Sequence, residues 1–304
     1  MNVDLSALVT EQRNENSMNL DRMSVRDILT TINSEDHKVA GAVKDVLPQV
    51  EVAVNQIVKA FQQGGRLFYV GAGTSGRLGV LDAAECVPTY RTPPDMIQAI
   101  IAGGPEAMTR AAEGIEDDEE QGAAELRQRG LSRSDVVVGI AASGRTPYPL
   151  GALKYARKVG AYTIALTCNR DSLMSRHADC SIEVVVGPEV VSGSTRMKAA
   201  TSHKMILTMM STAAMVKLGK TYENLMVDVQ ATNAKLVERA KRMVVSITGV
   251  PYSEAEEALA QAGYEVKTAI VMLEAGVPLE QAREALAESS GHVRVAIERA
   301  KSGL

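Results

Sequence analysis

The stretch LFYVGAGTSGR, residues 67–77, and the stretch VVVGIAASGRT, residues 136–146, follow the same plan. Each is an apolar run that ends in glycine and small hydroxyl residues and then continues into helix-forming sequence. A short apolar run of this kind is typical of a strand buried on both faces, as in a parallel sheet. The two stretches therefore predict βα units whose glycine-serine segments lie at the carboxyl ends of strands.

The rest of the sequence repeats this alternation of strand and helix. We predict strands at 66–70, 96–102, 135–140, 162–167 and 180–186. We predict helices at 25–32, 39–62, from about 75 onward, 106–129 and 149–159. This order predicts an α/β domain with a doubly wound parallel sheet, covered by helices on both faces.

From residue 195 onward the strand pattern ends. Two long helices are predicted at 197–218 and 224–248, and four short ones follow at 253–262, 266–273, 278–287 and 292–299. The short helices are separated by glycine or proline, which is typical of a small helical subdomain. We therefore expect a main domain over residues 1–248, with flanking long helices, and a subdomain over residues 249–304.

Composition excludes several classes of protein. Of the 304 residues, Lys+Arg make 33 and Asp+Glu make 37, a formal net charge of -4, so there is no basic excess to bind nucleic acid. The longest weakly polar stretch, 205–216, is too short for a bilayer, and residues 1–21 do not follow the order of a secretory signal. Three scattered cysteines favour neither a disulfide framework nor a zinc site. We expect a cytoplasmic protein with no membrane and no nucleic-acid partner.

The glycine-serine segments are suited to bind an anion. Free N–H groups at a helix start and the hydroxyls of Thr74, Ser75, Ser143 and Thr146 can hold phosphate oxygens. The first segment also matches GxGxxG, but the next predicted strand ends in glycines and proline rather than in the acid that binds a ribose. No GK[ST] follows either, so a P-loop is excluded. A monophosphate ester is therefore the expected ligand.

A third segment of similar composition, VVSGSTRMK at 190–198, precedes the helix at 197–218. Arg77, Arg145 and Arg196 each follow a glycine-serine stretch, where a guanidinium could pair with phosphate or carboxylate or could equally be structural. His203 lies in the helix after the third segment. We interpret it as a packing residue or a peripheral contact rather than a catalytic group.

The segments at 71–77 and 140–146 resemble the phosphosugar-binding loops of sugar isomerase (SIS) domains, which have a flavodoxin-like α/β fold. Longer matches narrow the resemblance to the N-acetylmuramic acid 6-phosphate etherase family. They are TEQRNENS at 10–17, GAGTSGRLGVLDAAECVPTY at 71–90, GIAASGRTPY at 139–148, GSTRMKA at 193–199 and NLMVDVQATNAKL at 224–236. The resemblance covers nearly the whole chain, including a tail similar to the UBA-like helical subdomain of that family.

The resemblance implies a lyase of cell-wall sugar recycling that releases D-lactate from N-acetylmuramic acid 6-phosphate by elimination and rehydration. It also implies a homodimer that uses no metal and no cofactor. The family's two catalytic glutamates match Glu85, as acid, and Glu116, as base at C2. The implied phosphosugar-binding residues are Gly73, Thr74, Ser75, Ser143, Gly144, Arg145, Thr146 and Ser194.

The residues alone leave other functions open. Glu85 by itself is a solvent-exposed acid on a helix face, and Glu116 begins a charge run of the kind that usually faces solvent. The same domain type also serves phosphosugar sensors without catalytic activity and aldose-ketose isomerases. These two alternatives bind the same class of ligand and differ from an etherase in what happens to it.

Overall fold

A computed structural model describes residues 8–110, 114–228 and 234–303 of the chain. The strands within these ranges are β1 (Leu67–Gly71), β2 (Ile97–Ile101), β3 (Val136–Ile140), β4 (Tyr162–Thr167) and β5 (Cys180–Glu183). The helices are α1 (Val25–Asp45), α2 (Leu47–Gln62), α3 (Gly73–Tyr90), α4 (Glu119–Gln128), α5 (Pro147–Val159), α6 (Lys198–Lys217), α7 (Ala234–Thr248), α8 (Tyr252–Gln261), α9 (Val266–Ala275), α10 (Leu279–Glu288) and α11 (Val293–Lys301).

The strands form one parallel sheet in the order β2-β1-β3-β4-β5. The chain adds β2 on one side of β1 and then returns to add β3 on the other side. The point where the strand order reverses therefore lies between β1 and β3, which is where doubly wound folds form a ligand crevice. The predicted flavodoxin-like architecture is confirmed.

Helices cover the sheet because its strands are apolar on both faces. Phe68 and Val137 share a buried core with Tyr148 and Leu153 of α5. On the opposite face α3 lies so close to β1 that a Cβ atom at Gly79 would come within 2.9 Å of the Tyr69 Cβ. The near-continuous apolar runs seen in the sequence are thus a consequence of burial between two helical layers.

The chain divides into two compact units. The first comprises the described residues within Met1–Ala83 and Pro94–Ser211 and contains the sheet. The second comprises those within Ala84–Pro93 and Thr212–Leu304, where α7 to α11 surround a core that includes Val244, Leu259 and Ile270. Within the described ranges, no helix has both the length and the apolar character needed to cross a membrane.

The predicted break between the first two helices is wrong. Instead of ending near residue 32, α1 continues to Asp45. The helical conformation is interrupted only at Val46, and Pro48 lies in the first turn of α2. The polar residues 33–38 separated the two predicted helices. Most of them lie on the exposed face of α1, whereas Glu35, which is buried, is paired with Lys198. A polar run therefore did not mean the end of a helix.

Two other predicted helices are shorter than expected. The segment 106–129 contains 3-10 turns at Gly104–Met108 and Ile115–Asp117, and α4 starts only after Asp118, whose side chain accepts a hydrogen bond from the Gln121 N–H. Gly114 has φ +84°, which an α-helix cannot contain.

The prediction of a helix at 224–248 holds from Ala234 onward, whereas Leu225 forms a β-bridge with Tyr222. Residues 111–113 and 229–233 of these predictions, the latter within the NLMVDVQATNAKL match, lie outside the described residues.

Candidate active site

The two glycine-serine segments lie side by side at the switch point of the sheet. Strands β1 and β3 are direct neighbours, and Gly71 at the end of β1 is in register with Ile140 at the end of β3. Because neighbouring strands are about 4.8 Å apart, the segments that follow them leave the same edge of the sheet together. This brings Thr74 and Ser75 to the same edge as Ser143 and Thr146.

The first segment turns directly from strand into helix. Gly73, the first residue of α3, has φ +53°, and a Cβ atom at Gly76 would lie 2.7 Å from the Gly71 carbonyl oxygen. Glycine is therefore needed for the helix to start so close to the strand. The first-turn N–H groups of a helix have no partner within the helix, so this start can hold an anion together with the half-buried Thr74 and Ser75.

The second segment is a tight turn against its neighbours. Gly144 has φ +67°, and a Cβ atom there would lie 2.4 Å from the Ser172 Cβ, so only glycine fits. The Ser143 hydroxyl accepts a hydrogen bond from the Arg145 N–H at 3.2 Å. Thr146 precedes α5, but its side chain makes no capping bond to that helix. The Thr146 hydroxyl is therefore not used at the helix start.

Asn169, just after β4, fixes the second segment. Its side-chain nitrogen donates to the carbonyl oxygen of Ala142 at 3.0 Å and to the Thr10 hydroxyl at 3.1 Å, and its oxygen accepts from the Val9 N–H at 2.8 Å. The start of the segment 8–17 is thereby held beside the second glycine-serine segment. Asn169 was not predicted from the sequence, although a polar residue two positions after a buried strand is a signal that could have identified it.

The third segment is held by buried charges. The Glu189 carboxylate accepts the N–H groups of Lys198 and Ala199, each at 2.9 Å, and so caps the start of α6. Ser194, half-buried, lies in the turn before α6, where its N–H donates to the Val191 carbonyl oxygen at 3.0 Å. The segment is thus built as a turn that leads into a capped helix.

His203 contacts the first segment directly. Its Nδ1 lies 3.4 Å from the Ser75 hydroxyl, and its Nε2 lies 3.4 Å from the Cys168 sulfur. The side chain is fully buried, and burial lowers its pKa to about 4, so the imidazole is neutral at physiological pH. His203 was predicted to be a packing residue or a peripheral contact. Its contact with Ser75 joins residues 128 positions apart, which leaves no local signal in the sequence.

Of the three arginines considered, Arg77 is structural. Its Nε donates to the Ala107 carbonyl oxygen at 2.9 Å, and its Nη2 donates to the Arg110 carbonyl oxygen at 3.0 Å. The side chain thereby fixes the segment that follows β2. Arg145 and Arg196 are exposed, so solvent and ligands can reach both guanidinium groups.

The two glutamates singled out by the sequence lie in different units. Glu116 is in the first unit, exposed, within the 3-10 turn Ile115–Asp117. Glu85 is exposed on α3, in the part of that helix assigned to the second unit. One turn earlier, Asp82 is a different kind of carboxylate, since it accepts hydrogen bonds from Tyr69 at 2.9 Å and Ser211 at 3.0 Å. Burial raises the pKa of Asp82.

Comparison with known families identifies similar sequences along most of the chain. Residues 49–157 match the model of the N-terminal SIS domain of glucokinase regulatory protein, and residues 119–218 match the SIS domain. Residues 223–269 match the C-terminal lid domain of glucokinase regulatory protein. The matches to SIS domains cover both glycine-serine segments, at 67–77 and 136–146.

Two relatives are similar over about nine-tenths of their length. The N-acetylmuramic acid 6-phosphate etherase of Bacillus subtilis is 60% identical over 272 residues, which are 90% of this chain and 90% of that protein. The enzyme of the same name from Mycolicibacterium smegmatis is 55% identical over 273 residues, which are 90% of this chain and 92% of that protein. Among solved structures, a phosphoheptose isomerase from Neisseria gonorrhoeae shares the fold, with a TM-score of 0.50 and 19% identity over 63% of this chain and 98% of that chain.

Proposed function

The chain belongs to the N-acetylmuramic acid 6-phosphate etherase family, and we propose that it cleaves the lactyl ether of N-acetylmuramic acid 6-phosphate. The products are D-lactate and N-acetylglucosamine 6-phosphate, as required for recycling of a cell-wall sugar. The observation that carries this proposal is the 60% identity to an etherase over 90% of both chains. At that level of similarity, a change of reaction would need a change at the site itself.

The geometry of the first unit supports binding of the phosphate ester. Two helices start after neighbouring strands at the switch point, one with Gly73 as its first residue and the other three residues after Gly144, and both glycines have positive φ. The hydroxyls of Thr74, Ser75, Ser143 and Thr146 lie at this edge together with the backbone N–H groups of the loops. A phosphate bound there needs no metal ion, because N–H and O–H donors supply the positive potential.

We assign Gly73, Gly144, Arg145 and Ser194 to the same binding site. Gly73 and Gly144 allow the backbone to approach the ligand, which a side chain would prevent. The exposed Arg145 guanidinium can pair with an anionic group of the substrate, either the phosphate or the lactyl carboxylate. Ser194 in the third segment offers a further hydroxyl.

An ether is a poor substrate for direct hydrolysis, since its leaving alkoxide is strongly basic, and elimination avoids this difficulty. After the sugar ring opens to the aldehyde, a base removes the proton at C2. The electron pair of that C–H bond forms the C2–C3 double bond, and the C3–O bond breaks to release lactate. Water then adds its oxygen to C3 and a proton returns to C2, so the sequence consumes one water and needs no oxidant or reductant.

Two carboxyl groups suffice for these proton transfers, each of which typically accelerates a reaction by about 10²- to 10⁴-fold. We assign Glu116 as the base at C2 and Glu85 as the acid that protonates the departing lactate oxygen and then activates water. Both side chains are exposed, so a substrate can reach them. We further propose a cytoplasmic homodimer that works without metal or cofactor.

The experiment that tests this function is direct. Purified protein is incubated with N-acetylmuramic acid 6-phosphate in the presence of a chelator, and D-lactate is measured. Release of D-lactate with concomitant formation of N-acetylglucosamine 6-phosphate supports an etherase. Tight binding of the phosphosugar without turnover would instead support a sensor, the alternative favoured by the two matches to glucokinase regulatory protein.

A further inference from the structure

A line of buried polar groups runs from the first phosphate-binding segment into the first unit. The Ser75 hydroxyl lies 3.4 Å from Nδ1 of His203, and Nε2 of His203 lies 3.4 Å from the Cys168 sulfur. The Cys168 sulfur in turn lies 3.7 Å from the Ser202 hydroxyl, which donates to the Ala199 carbonyl oxygen at 2.7 Å. One end of this line is a proposed ligand of the phosphate, and the other end is helix α6.

The central groups of this line are neutral. Burial lowers the pKa of His203 to about 4 and raises the pKa of the Cys168 thiol to about 12. At neutral pH the imidazole therefore has one N–H donor and one acceptor nitrogen, and the thiol keeps its hydrogen. The thiol is for the same reason a poor nucleophile.

Only two directions of hydrogen bonding fit a neutral imidazole in this position. In the first, Ser75 donates its hydrogen to Nδ1, and Nε2–H donates to the Cys168 sulfur. In the second, the Cys168 thiol donates to Nε2, and Nδ1–H donates to the Ser75 oxygen. The two directions differ in the tautomer of His203 and in whether the hydrogen of the Ser75 hydroxyl is free.

A bound phosphate distinguishes the two directions. An ionised phosphate ester has hydrogen-bond acceptors but no donors. The Ser75 hydroxyl can therefore bind it only by donating its hydrogen to a phosphate oxygen. That requires the second direction, in which the imidazole gives its hydrogen to Ser75 and receives one from Cys168. In the second direction the single hydrogen of the Cys168 thiol goes to Nε2, so the 3.7 Å contact with Ser202, whose own hydrogen goes to the Ala199 carbonyl oxygen, is not a hydrogen bond.

We infer that His203 is a positioning residue for phosphate binding. The Cys168 thiol holds the imidazole as its Nδ1–H tautomer, and the Nδ1–H group turns the hydrogen of the Ser75 hydroxyl toward the phosphate. The inference rests on the proposed function in one respect, namely that Ser75 binds the phosphate of the substrate. It assigns to His203 no contact with the substrate and no proton transfer in the reaction.

The first test compares variants that keep one or the other nitrogen of the ring. An asparagine amide can place its nitrogen near the Nδ1 position, whereas a glutamine amide reaches the Nε2 position. We expect His203→Ala and His203→Gln to weaken binding of N-acetylglucosamine 6-phosphate about tenfold, measured by calorimetry, and His203→Asn to restore most of the affinity. That factor matches the loss of one hydrogen bond to a ligand. His37→Asn, on the exposed face of α1, is the matched control and should leave affinity unchanged.

The effects should not add to the loss of Ser75. If His203 acts through that hydroxyl, Ser75→Ala combined with His203→Ala should bind about as weakly as Ser75→Ala alone. In turnover, KM should rise while kcat stays within about twofold of the unmodified protein. Equal weakening by all three replacements of His203, or independent effects of the two sites, would overturn the inference.

The second test reads the tautomer in the unmodified protein and does not depend on any variant being active. Histidine-selective ¹⁵N labelling with long-range ¹H–¹⁵N spectra distinguishes Nδ1–H from Nε2–H, and the signal lost in His203→Asn assigns the residue. We expect Nδ1–H in the complex with N-acetylglucosamine 6-phosphate. An Nε2–H imidazole in that complex would overturn the inference, even if lactate is released.

Failure of the inference and failure of the proposed function are thus separable. Binding of the phosphosugar with the expected tautomer but no lactate release from the muramic acid phosphate overturns only the function. Lactate release with the other tautomer overturns only the role of His203. A protein that neither binds N-acetylglucosamine 6-phosphate nor releases lactate from the muramic acid phosphate would overturn both.

Discussion

The ammonium nitrogen of Lys198 lies 2.5 Å from Oε2 of Glu35, and the two side chains are only 1% and 2% exposed. Glu35 lies in the middle of α1, and Lys198 is both the last residue of the third glycine-serine segment and the first residue of α6. The other Glu35 oxygen accepts from Asn16 at 2.8 Å. Burial by itself raises the pKa of Glu35. Hydrogen bonds from Lys198 and its other partners have the larger combined effect and lower the pKa to about 2. Glu35 therefore stays ionised, and its contacts with Lys198 and Asn16 join the third segment and the segment 8–17 to α1.

Removing one member of this pair should be costly. We expect Glu35→Gln to destabilise the protein by about 3–5 kcal/mol, because it leaves the buried Lys198 ammonium without a countercharge. The free energy of unfolding in urea measures this. Glu35 also contacts Lys38 at 2.6 Å, and Lys38 is half exposed, so Lys38→Gln is the matched control with an expected loss below about 1 kcal/mol.

The same pair offers a double variant that separates charge from packing. Glu35→Leu combined with Lys198→Met replaces both charges by apolar side chains and should be more stable than Glu35→Gln alone. If Glu35→Gln were no more harmful than Lys38→Gln, the pair would not hold these segments together.

The buried His203 predicts a dependence of stability on pH. Its pKa is about 4 in the folded chain and has an ordinary value of 6.5 when the chain is unfolded. The unfolded state therefore binds the proton more readily, so stability is complete above about pH 6.5 and falls as the pH drops toward 4. The loss from this one group amounts to about 3 kcal/mol over that interval.

Urea unfolding at a series of pH values between 7 and 4 measures this effect. Carboxyl groups of the chain also titrate at the lower end of the range, so the comparison with His203→Asn isolates the histidine. The variant should lose stability less steeply than the unmodified protein. Parallel curves for the two proteins would show that the His203 imidazole is not buried as described.

The proposed catalytic carboxylates make a prediction about turnover. Glu85→Gln and Glu116→Gln should each reduce lactate release by at least about 10²-fold, the usual contribution of one acid-base group. Calorimetric affinity for N-acetylglucosamine 6-phosphate should remain within about threefold of the unmodified protein, since neither side chain belongs to the loops proposed to bind the phosphate. Glu120→Gln, an exposed member of the same acidic run as Glu116, is the matched control. Substantial activity in either of the first two variants would refute that assignment.

The second loop predicts an effect on binding rather than on chemistry. Ser143→Ala removes a half-buried hydroxyl beside Gly144, and we expect KM to rise about tenfold while kcat changes little. Ser134→Ala, at the amino-terminal end of the same strand, should leave both constants unaltered. A fall in kcat without a change in KM would mean that Ser143 acts on the reacting atoms instead of the phosphate.

The sequence predicted the parts of the fold that depend on local pattern. Strands β1 to β4 are short and largely apolar, and β5 alternates apolar with polar residues, so all five described strands could be located. The glycine-serine segments after β1 and β3 predicted the candidate binding loops. The break between α1 and α2 was missed, because residues 33–38 are polar for two different reasons. Most of them face solvent, and Glu35 instead meets a lysine that is 163 positions away.

The candidate site was predictable to the same extent. Thr74, Ser75, Ser143 and Thr146 follow from glycine-serine segments after buried strands, a pattern with a direct physical meaning. The supporting residues do not follow from any local pattern, because Asn169 and His203 act on loops that are distant in sequence and close only in the folded chain. Glu85 and Glu116 were identified by resemblance to a family, since an exposed carboxylate has no sequence signal that separates catalysis from solvation.

The most direct test of the proposed reaction is to follow solvent oxygen. The protein is incubated with N-acetylmuramic acid 6-phosphate in H₂¹⁸O, and fragments of both products are analysed by mass spectrometry, leaving aside C1, whose oxygen exchanges with water in any open-chain sugar. Elimination and rehydration predict one ¹⁸O at C3 of N-acetylglucosamine 6-phosphate and unlabelled hydroxyl oxygen in the lactate. Label in the lactate hydroxyl, or an isomerised sugar with an intact ether, would contradict the account.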